Sequence, residues 1–194
     1  MFSENYDLIR KLENPIPVGE RKNYSIKDVK QDGFILLYEK PYHVQPFGKY
    51  FDDEEEWFEL RITNIETGES TFLEWKDDDE LELTLTTKEL KFCDLFDDEK
   101  EEIDSDDLAQ ITDDEDDIFF LGKKFEYEDD YKAEYLRFKD GRKFRVKMYE
   151  FEANDGSCIT IENWLKNDER SDYEIWLSNS IKLKSFEILS LGSN

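Results

Sequence analysis

The sequence predicts an all-β fold built from two similar antiparallel β-meander halves that pack together as a sandwich or as partly open barrels. Three observations predict it. Apolar and polar residues alternate in several short runs, which is the period of a half-buried strand. Turn-forming residues separate these runs. Similar motifs recur in the second half of the chain at a nearly constant distance from the first.

The aromatic content supports a folded core. The 194 residues include 15 Phe, 10 Tyr and 4 Trp, against a formal net charge of −25. Each aromatic side chain buries about 150–250 Å², and a chain of this length does not depend on disulfides for stability. We therefore expect a folded protein in spite of its charge.

Residues 1–23 form the N-terminal segment and its proline-rich lead-in. The pattern predicts one short helix over residues 2–13, because Ser3 can cap it and Leu8 and Leu12 share a face with Ile9. The prolines within 14–17 end the helix. A docking helix for a partner is the alternative interpretation.

Residues 24–93 form the first β half. The clearest element is a hairpin, in which Trp57–Thr63 alternates, 64–68 supplies the turn and Ser70–Trp75 returns. Pro41 is predicted to interrupt the run that precedes it. The remaining predicted strands of this half are Gly33–Tyr38, Tyr42–Phe47, Glu80–Thr86 and Lys88–Phe92.

Residues 118–194 form the second β half. Its clearest element is again a hairpin, Tyr135–Phe138 and Phe144–Phe151 joined at Lys139–Gly141. The remaining predicted strands are Gly122–Tyr127, Gly156–Trp164, Glu174–Leu177 and Ile181–Phe186.

The spacing between the halves predicts an internal duplication. An offset of 89 residues separates Gly33 from Gly122 and Trp75 from Trp164, and an offset of 88 separates Gly68 from Gly156. One meander alone would leave an apolar sheet face in water, so the two are expected to pack together. Chance similarity of two hairpins is the alternative.

The alternating runs also predict the core. Their apolar members should be mostly buried, because a strand buries every second side chain. The predicted core residues are Phe58, Leu60, Ile62, Leu73, Trp75, Leu83, Phe144, Val146, Ile161, Trp164, Trp176 and Leu183.

Residues 94–117 form an acidic linker between the halves, with fourteen carboxylates and one lysine. Mutual repulsion predicts an extended, mobile tether. Apolar residues punctuate the charges, which is typical of a docking segment that orders on a partner. The candidate partner-binding residues here are Leu95, Phe96, Leu108 and Ile111.

A basic strand supplies the second candidate partner site, at Arg142, Lys143, Arg145 and Lys147. Basic side chains alternating with apolar ones share one face of a strand. We hypothesise that the acidic linker folds over this face and blocks it. An ordinary solvated face is the alternative.

The sequence offers no catalytic residue, metal site or cofactor motif. His43 is the single histidine and no nucleophile motif accompanies it. Cys93 and Cys158 are too few for a disulfide framework, and with one histidine they do not suggest a zinc site. No glycine-rich phosphate loop occurs.

Charge and hydropathy set expectations for partners and compartment. The acidic excess disfavours direct binding of nucleic acid and favours a protein partner, one with a cationic surface among the options. The sequence shows neither a signal peptide nor an apolar run long enough to span a bilayer. We therefore expect a cytoplasmic protein.

Several segments resemble a known family. The pattern of Asp32–Phe34, Tyr42–Val44, Trp57–Leu60 and Phe72–Leu73 is similar to the first half of prokaryotic domain-of-unknown-function family 4178. In the second half, Ile161–Trp164 and Glu174–Ser178 look like further segments of that family. The resemblance covers about residues 30–187, and the acidic linker departs from the family pattern. It implies a β-rich domain without an established activity, and it supplies no catalytic motif.

These observations favour a non-catalytic β-rich interaction or accessory module. One alternative is an acidic decoy or immunity-type protein that covers a cationic nucleic-acid-binding or toxin surface. Such a protein should array its charges over a rigid folded face at roughly the spacing of DNA phosphates. The further alternative is an unrecognised enzyme, which a concave pocket with convergent carboxylates would favour.

Overall fold

The computed structural model describes residues 9–52, 55–78, 80–165 and 172–193. Its strands confirm the predicted all-β class, and the predicted N-terminal helix over residues 2–13 falls largely outside the described residues. The first half contains β1 (Gly33–Leu37), β2 (Lys40–Phe51), β3 (Glu56–Asn64), β4 (Ser70–Asp77), β5 (Leu81–Leu90) and β6 (Leu95–Phe96).

The second half follows a short helix, α1 (Leu108–Asp114), which lies within the acidic linker. Its strands are β7 (Ile118–Phe120), β8 (Lys123–Arg137), β9 (Arg142–Glu152), β10 (Ser157–Leu165), β11 (Asp172–Ser180) and β12 (Phe186–Ser190). Both predicted hairpins are present as β3–β4 and β8–β9. Pro41 does not interrupt a strand; it lies within β2, after the β1–β2 turn.

The two halves close into one barrel through hydrogen bonds at their edges. The order β2-β3-β4-β5-β11-β10-β9-β8 returns to β2, because β2 pairs with β8 as well as with β3. The 12-residue β2 makes this possible, since its first part pairs with β1 and its last part with β8. All of these pairs are antiparallel, so eight strands enclose an interior.

Gly48 allows the closure at β2. A Cβ atom built there would lie 2.2 Å from the Tyr135 hydroxyl oxygen and 2.3 Å from the ring carbon that bears it. The register of β2 against β3 shifts at the same place, between Pro46 and Gly48. Only a residue without a side chain lets the Tyr135 ring lie across β2.

The outer face of the first half carries an apolar cluster. Side chains of β2 to β5, such as Ile62 and Leu73, pack against residues of β1, β12 and the chain that precedes β1, such as Ile35, Ile188 and Ile26. The N-terminal segment is fixed by a backbone hydrogen bond from Ile16 N–H to the Leu189 carbonyl, at 2.7 Å. This cover removes the apolar face of the strands from water.

The outer face of the second half is covered by the acidic linker. Leu95, Ile103, Leu108 and Ile111 pack against apolar residues of β8 to β11, such as Phe151. The expectation of an extended tether is therefore wrong, because the apolar residues between its charges are buried. The carboxylates lie on the opposite side, where most are exposed.

Most of the predicted core is correct. Leu60, Ile62, Leu73, Leu83, Val146 and Ile161 are buried, and the five aromatic members are half-buried. Leu183 is wrong, because it lies 50% exposed in a short 3₁₀ turn before β12.

The halves share their strand order but not every predicted match. β1 to β6 and β7 to β12 occupy corresponding places in the sheet order. The pair at offset 88 matches, since Gly68 and Gly156 both adopt φ +78° in hairpin turns. Of the two pairs at offset 89, Gly33 and Gly122 do not match, because Gly33 begins β1 whereas Gly122 lies in the β7–β8 turn. Trp75 and Trp164 lie on the corresponding strands β4 and β10. The duplication stays a prediction.

Candidate functional site

The barrel interior is lined by the side chains that alternate with the apolar outer residues. Strand pairing places Glu59 of β3 opposite Glu74 of β4, and Glu162 of β10 opposite Met148 of β9. Because successive side chains point to opposite faces of a strand, these carboxylates point inward while Leu60, Leu73 and Ile161 point outward.

One end of the interior is filled by aromatic rings. The Tyr50 and Tyr135 ring centroids lie 4.6 Å apart, and the Tyr135 and Trp164 centroids lie 5.4 Å apart in an edge contact. Phe144 packs against both Tyr135 and Trp164, at 6.4 and 6.3 Å. These rings close that end and form the floor of the space above.

The other end holds a cavity of about 710 Å³. Its wall carries eight carboxyl side chains and two lysines, together with hydroxyl groups and three tryptophans. The charged residues of the wall are Asp52, Glu55, Glu74, Glu82, Asp129, Glu150, Glu152, Glu162, Lys76 and Lys132.

Glu162 lies at the boundary between the floor and the cavity. It is 3% exposed, and its Oε1 accepts a hydrogen bond of 3.0 Å from the buried Tyr50 hydroxyl. Burial raises the pKa of Glu162, and the nearby carboxylates of Glu74 and Glu59 raise it further. The hydrogen bond from Tyr50 works against that rise.

Glu59 belongs to the aromatic end. It is 8% exposed, and its Oε2 accepts a hydrogen bond of 2.6 Å from the Tyr135 hydroxyl. Burial raises the pKa of Glu59 to about 7, in spite of this hydrogen bond. Gly48 thus has a second role, since it admits the Tyr135 ring that holds this carboxylate.

Glu74 faces the cavity without such a donor. Strand register places it between Glu59 of β3 and Thr84 of β5. Burial inside the barrel raises the pKa of Glu74 to about 8, with further contributions from the charges of Glu59 and Glu150. Like-charged side chains directly opposite on neighbouring strands destabilise each other, so Glu74 is the inward carboxyl that most lacks compensation.

The mouth of the cavity is more fully paired. The Tyr131 hydroxyl donates to Glu150 Oε1 at 2.7 Å, and Lys76 forms an ion pair with Glu55. Burial raises the pKa of the Cys158 thiol to about 12. Because the thiolate is the reactive form, Cys158 is a poor nucleophile.

The predicted basic site lies on the outside of the barrel. Lys147 Nζ forms an ion pair of 2.7 Å with Asp130, Lys143 Nζ one of 2.9 Å with Glu134, and Arg142 Nε one of 3.5 Å with Asp140. These carboxylates belong to β8 and the β8–β9 turn, so the neighbouring strand rather than the acidic linker supplies them. Arg145 is exposed on the same strand.

The predicted apolar site is mostly part of the core. Leu95, Leu108 and Ile111 are buried in the cover of the second half, and Phe96 is half-buried where β6 pairs with β7. The structure thus places these four residues and the four basic ones on separate elements. Whether any of them binds a partner stays a prediction.

His43 has a structural position. It is buried on β2, and its Nε2 lies 2.6 Å from Asp32 Oδ1. Burial lowers the pKa of His43, although Asp32 opposes that change. Its ring contacts Phe34 at 5.2 Å, on the part of β2 that pairs with β1 rather than with β8.

Sequence reasoning missed the inward carboxylates. The sequence contains 51 acidic residues, and no spacing between them marks a pair. One signal was available: Glu59 and Glu74 each lie inside a strand between two large apolar residues, and Glu162 directly follows Ile161. A side chain at such a position is solvated on an open sheet but lies in the interior of a closed barrel. The burial of these carboxyls is therefore apparent only once the pairing of β2 with β8 is known.

The fold and the cavity define a small closed β-barrel with an apolar, covered outside and an acidic inside. The chain belongs to the family described as Domain of unknown function (DUF4178), whose model matches residues 33–182. This confirms the resemblance, and the matched range spans all strands of the barrel. No curated protein and no solved structure matches the chain.

The described residues contain neither a membrane-spanning helix nor a metal-binding cluster. In residues 9–52, 55–78, 80–165 and 172–193, no helix has the length and apolar character needed to cross a bilayer. Within the same ranges, no group of three or more His, Cys, Asp or Glu side chains is arranged to hold a metal ion.

Proposed function

We propose that this protein is a non-catalytic binding protein whose barrel interior holds a small polar molecule. The observation that carries the proposal is the cavity of about 710 Å³, closed at one end by aromatic rings. Ligand pockets commonly measure about 300–1,000 Å³ and lie in the mouths of β-barrels. The hydroxyl and carboxyl groups of the wall supply the convergent polar contacts of such a pocket.

The charge states of the wall favour binding over catalysis. Acid–base catalysis by two carboxyls needs one that stays ionised beside one that stays protonated. Burial instead raises the pKa of Glu59, Glu74 and Glu162 alike. The Cys158 thiol stays protonated, so the groups with perturbed pKa values do not divide into opposite roles.

Filling the cavity tests the proposal. Thr160 lines the cavity on β10, between Cys158 and Glu162, so Thr160→Phe places a ring inside it. Thr87→Phe makes the same change at an exposed position of β5. The probes are butylammonium, 1-butanol and butyrate, and the readouts are tryptophan fluorescence and melting temperature.

At least one probe should bind the wild type and the Thr87→Phe variant but not the Thr160→Phe variant. Trp57 and Trp176 line the cavity, so occupancy should change the fluorescence. The proposal fails if none of the three probes binds, or if Thr160→Phe binds as well as the wild type.

A second candidate function is acid catalysis in the same cavity, because it meets the criterion of convergent carboxylates. Glu74, with a pKa of about 8, is protonated at neutral pH and faces the cavity. Glycosidases use a protonated carboxyl of this kind as the general acid, with a second carboxylate near it. A panel of nitrophenyl glycosides tests it: turnover by the wild type that Glu74→Gln abolishes supports catalysis, and no turnover contradicts it.

A protein partner and a cytoplasmic compartment remain predictions from the sequence. The decoy alternative gains one supporting observation, since most linker charges lie exposed on a folded segment. A pull-down from the native cell with wild type and with an Asp113→Asn/Asp114→Asn/Asp116→Asn/Asp117→Asn variant tests it. A cationic protein captured only by the wild type supports it, and equal capture contradicts it.

A further inference from the structure

We propose that the molecule held in the barrel is a small organic cation, an amine or ammonium compound, with Glu74 as its counter-charge. The inference rests on the proposed function and names the chemical class of the ligand. It is carried by the charge of the cavity wall, by the absence of a donor to Glu74 in the described part of the chain and by the aromatic surfaces around it.

The cavity wall has a large excess of negative charge. Eight carboxyl side chains and two lysines line it. One of these lysines, Lys76, already forms an ion pair with Glu55. The wall therefore attracts a cation and repels an anion of any size.

The three inward glutamates receive no charge compensation from described cationic side chains. Glu59 and Glu162 each accept one hydrogen bond from a tyrosine, which is neutral. For Glu74, neither a hydrogen bond nor an ion pair is formed with any described residue. Glu59 lies directly opposite Glu74, so the repulsion between them adds to the cost of burial.

A bound cation removes this cost. A buried charge without a partner is strongly unfavourable, and the interaction between charges is stronger away from bulk water. An ammonium group beside Glu74 turns repulsion among the glutamates into attraction. Protonation of the carboxyls also removes the unfavourable negative charge. A proton and the cation therefore compete for Glu74.

The aromatic wall selects an organic cation. Trp57 and Trp176 line the cavity together with Tyr131. Indole and phenol faces attract ammonium groups, and they also pack against alkyl carbon atoms. The cavity is many times larger than a single ion, so it has room for a carbon skeleton attached to the charge.

The competition with protons gives the site a pH dependence. The titratable groups of the cavity wall and of the barrel interior around it come from all eight barrel strands and the β2–β3 connection. They are Tyr50, Asp52, Glu55, Glu59, Lys76, Glu82, Asp129, Tyr131, Lys132, Tyr135, Glu150, Glu152, Cys158, Glu162 and Glu174. Since the pKa of Glu74 is about 8, the carboxylate that binds the cation is present above pH 8 and is lost below it.

The test measures binding of butylammonium to the full chain by calorimetry and by tryptophan fluorescence. Its neutral and anionic counterparts are 1-butanol and butyrate. We expect butylammonium to bind more tightly than either. Affinity should fall on the order of 100-fold from pH 9 to pH 6, because only about 1% of a carboxyl with a pKa of 8 is ionised at pH 6.

Two variants sharpen the test. Glu74→Gln keeps the shape of the side chain and removes its charge, so affinity for butylammonium at pH 9 should fall by about 30-fold or more. Glu20→Gln removes one charge from an exposed turn and should bind like the wild type. The remaining affinity of Glu74→Gln for butylammonium should not change with pH near 8, because the group that titrates there is gone.

Three results would overturn the inference. One is tighter binding of 1-butanol or butyrate than of butylammonium, which leaves the binding function intact but names the wrong class. Another is tight binding of Mg²⁺ or Ca²⁺ alone that excludes butylammonium. The third is equal affinity of Glu74→Gln and the wild type. If no probe of any charge binds, the proposed function itself fails.

Discussion

The outer face of the barrel strands is apolar, whereas the inner face carries many polar and acidic side chains. This is the reverse of a barrel whose interior is a hydrophobic core. The outer face carries apolar residues such as Leu73 and Ile161, which flanking segments cover. The inner face carries the buried Glu59 and Glu162 and the half-buried Glu74, which lines the cavity. The outer face and the aromatic end of the interior therefore supply stability, whereas the carboxyl groups of the inner face lower it.

The largest expected effect comes from the outer face. Phe151→Ala should cost about 3–5 kcal/mol in the free energy of unfolding, because Phe151 is fully buried in the cluster under the acidic linker. Phe138→Ala, at a position 41% exposed, is the matched control. Denaturant unfolding measures both. A similar small loss for the two variants would show that the outer face is not the core.

The acidic linker should behave as part of that face. Leu108→Ala should cost about 2–4 kcal/mol, since Leu108 is buried between α1 and the barrel. Leu121→Ala, at an exposed turn, should change the free energy of unfolding by about 0.5 kcal/mol or less. If Leu108→Ala is equally mild, the linker is a spacer and not a cover.

The inner face should make stability depend on pH. Glu59 and Glu74 have folded pKa values of about 7 and about 8, above the usual value of 4.5. The folded state therefore binds more protons than the unfolded state between about pH 4.5 and pH 8, so the contribution of these groups falls as pH rises through that window. We expect a loss of about 2 kcal/mol or more from these two groups.

Glu74→Gln isolates this contribution. The amide resembles the protonated acid, so unfolding curves should show stability near that of the wild type at pH 5 and higher stability at pH 8.5. The difference between the variant and the wild type cancels the titration of the many exposed carboxylates. A constant difference across this pH range would contradict the enclosure of Glu74.

A smaller loss of stability is expected at Gly48, where β2 pairs with β8 and closes the barrel. Gly48→Ala should cost about 1–3 kcal/mol, because its Cβ overlaps the Tyr135 ring. Gly19→Ala is the control, since a Cβ there meets nothing within 4 Å. Loss of the Tyr135 contact should also alter the titration of Glu59. Unchanged stability of Gly48→Ala would mean that the ring moves freely.

The sequence predicted the outer face better than the inner face. Alternation in the Trp57–Thr63 and Ser70–Trp75 runs identified Leu60, Ile62 and Leu73 as core residues, and they are buried. Apolar alternation is a local property of each strand, so it needs no knowledge of the partner strands.

The inner face depends on contacts that are distant in sequence. Glu59 is held by Tyr135 and Glu162 by Tyr50, so each contact joins the two halves. A sheet that stayed open at β2–β8 would present the same residues to water. The pairing of β2 with β8 is the feature that local patterns could not supply. The prediction for the acidic linker was wrong for a related reason. It relied on the linker's charge, whereas four apolar residues of the linker pack against strands that are distant in sequence.

The titration of Glu74 shows whether this carboxyl is desolvated, unpaired and able to bind a cation. The most direct measurement follows the ¹³C chemical shift of the Glu74 carboxyl carbon with pH, with and without butylammonium, and assigns the signal by its loss in Glu74→Gln. We expect a midpoint near pH 8 in the free protein and a lower midpoint when butylammonium is present. A midpoint near the ordinary value of 4.5, unchanged by butylammonium, would contradict it.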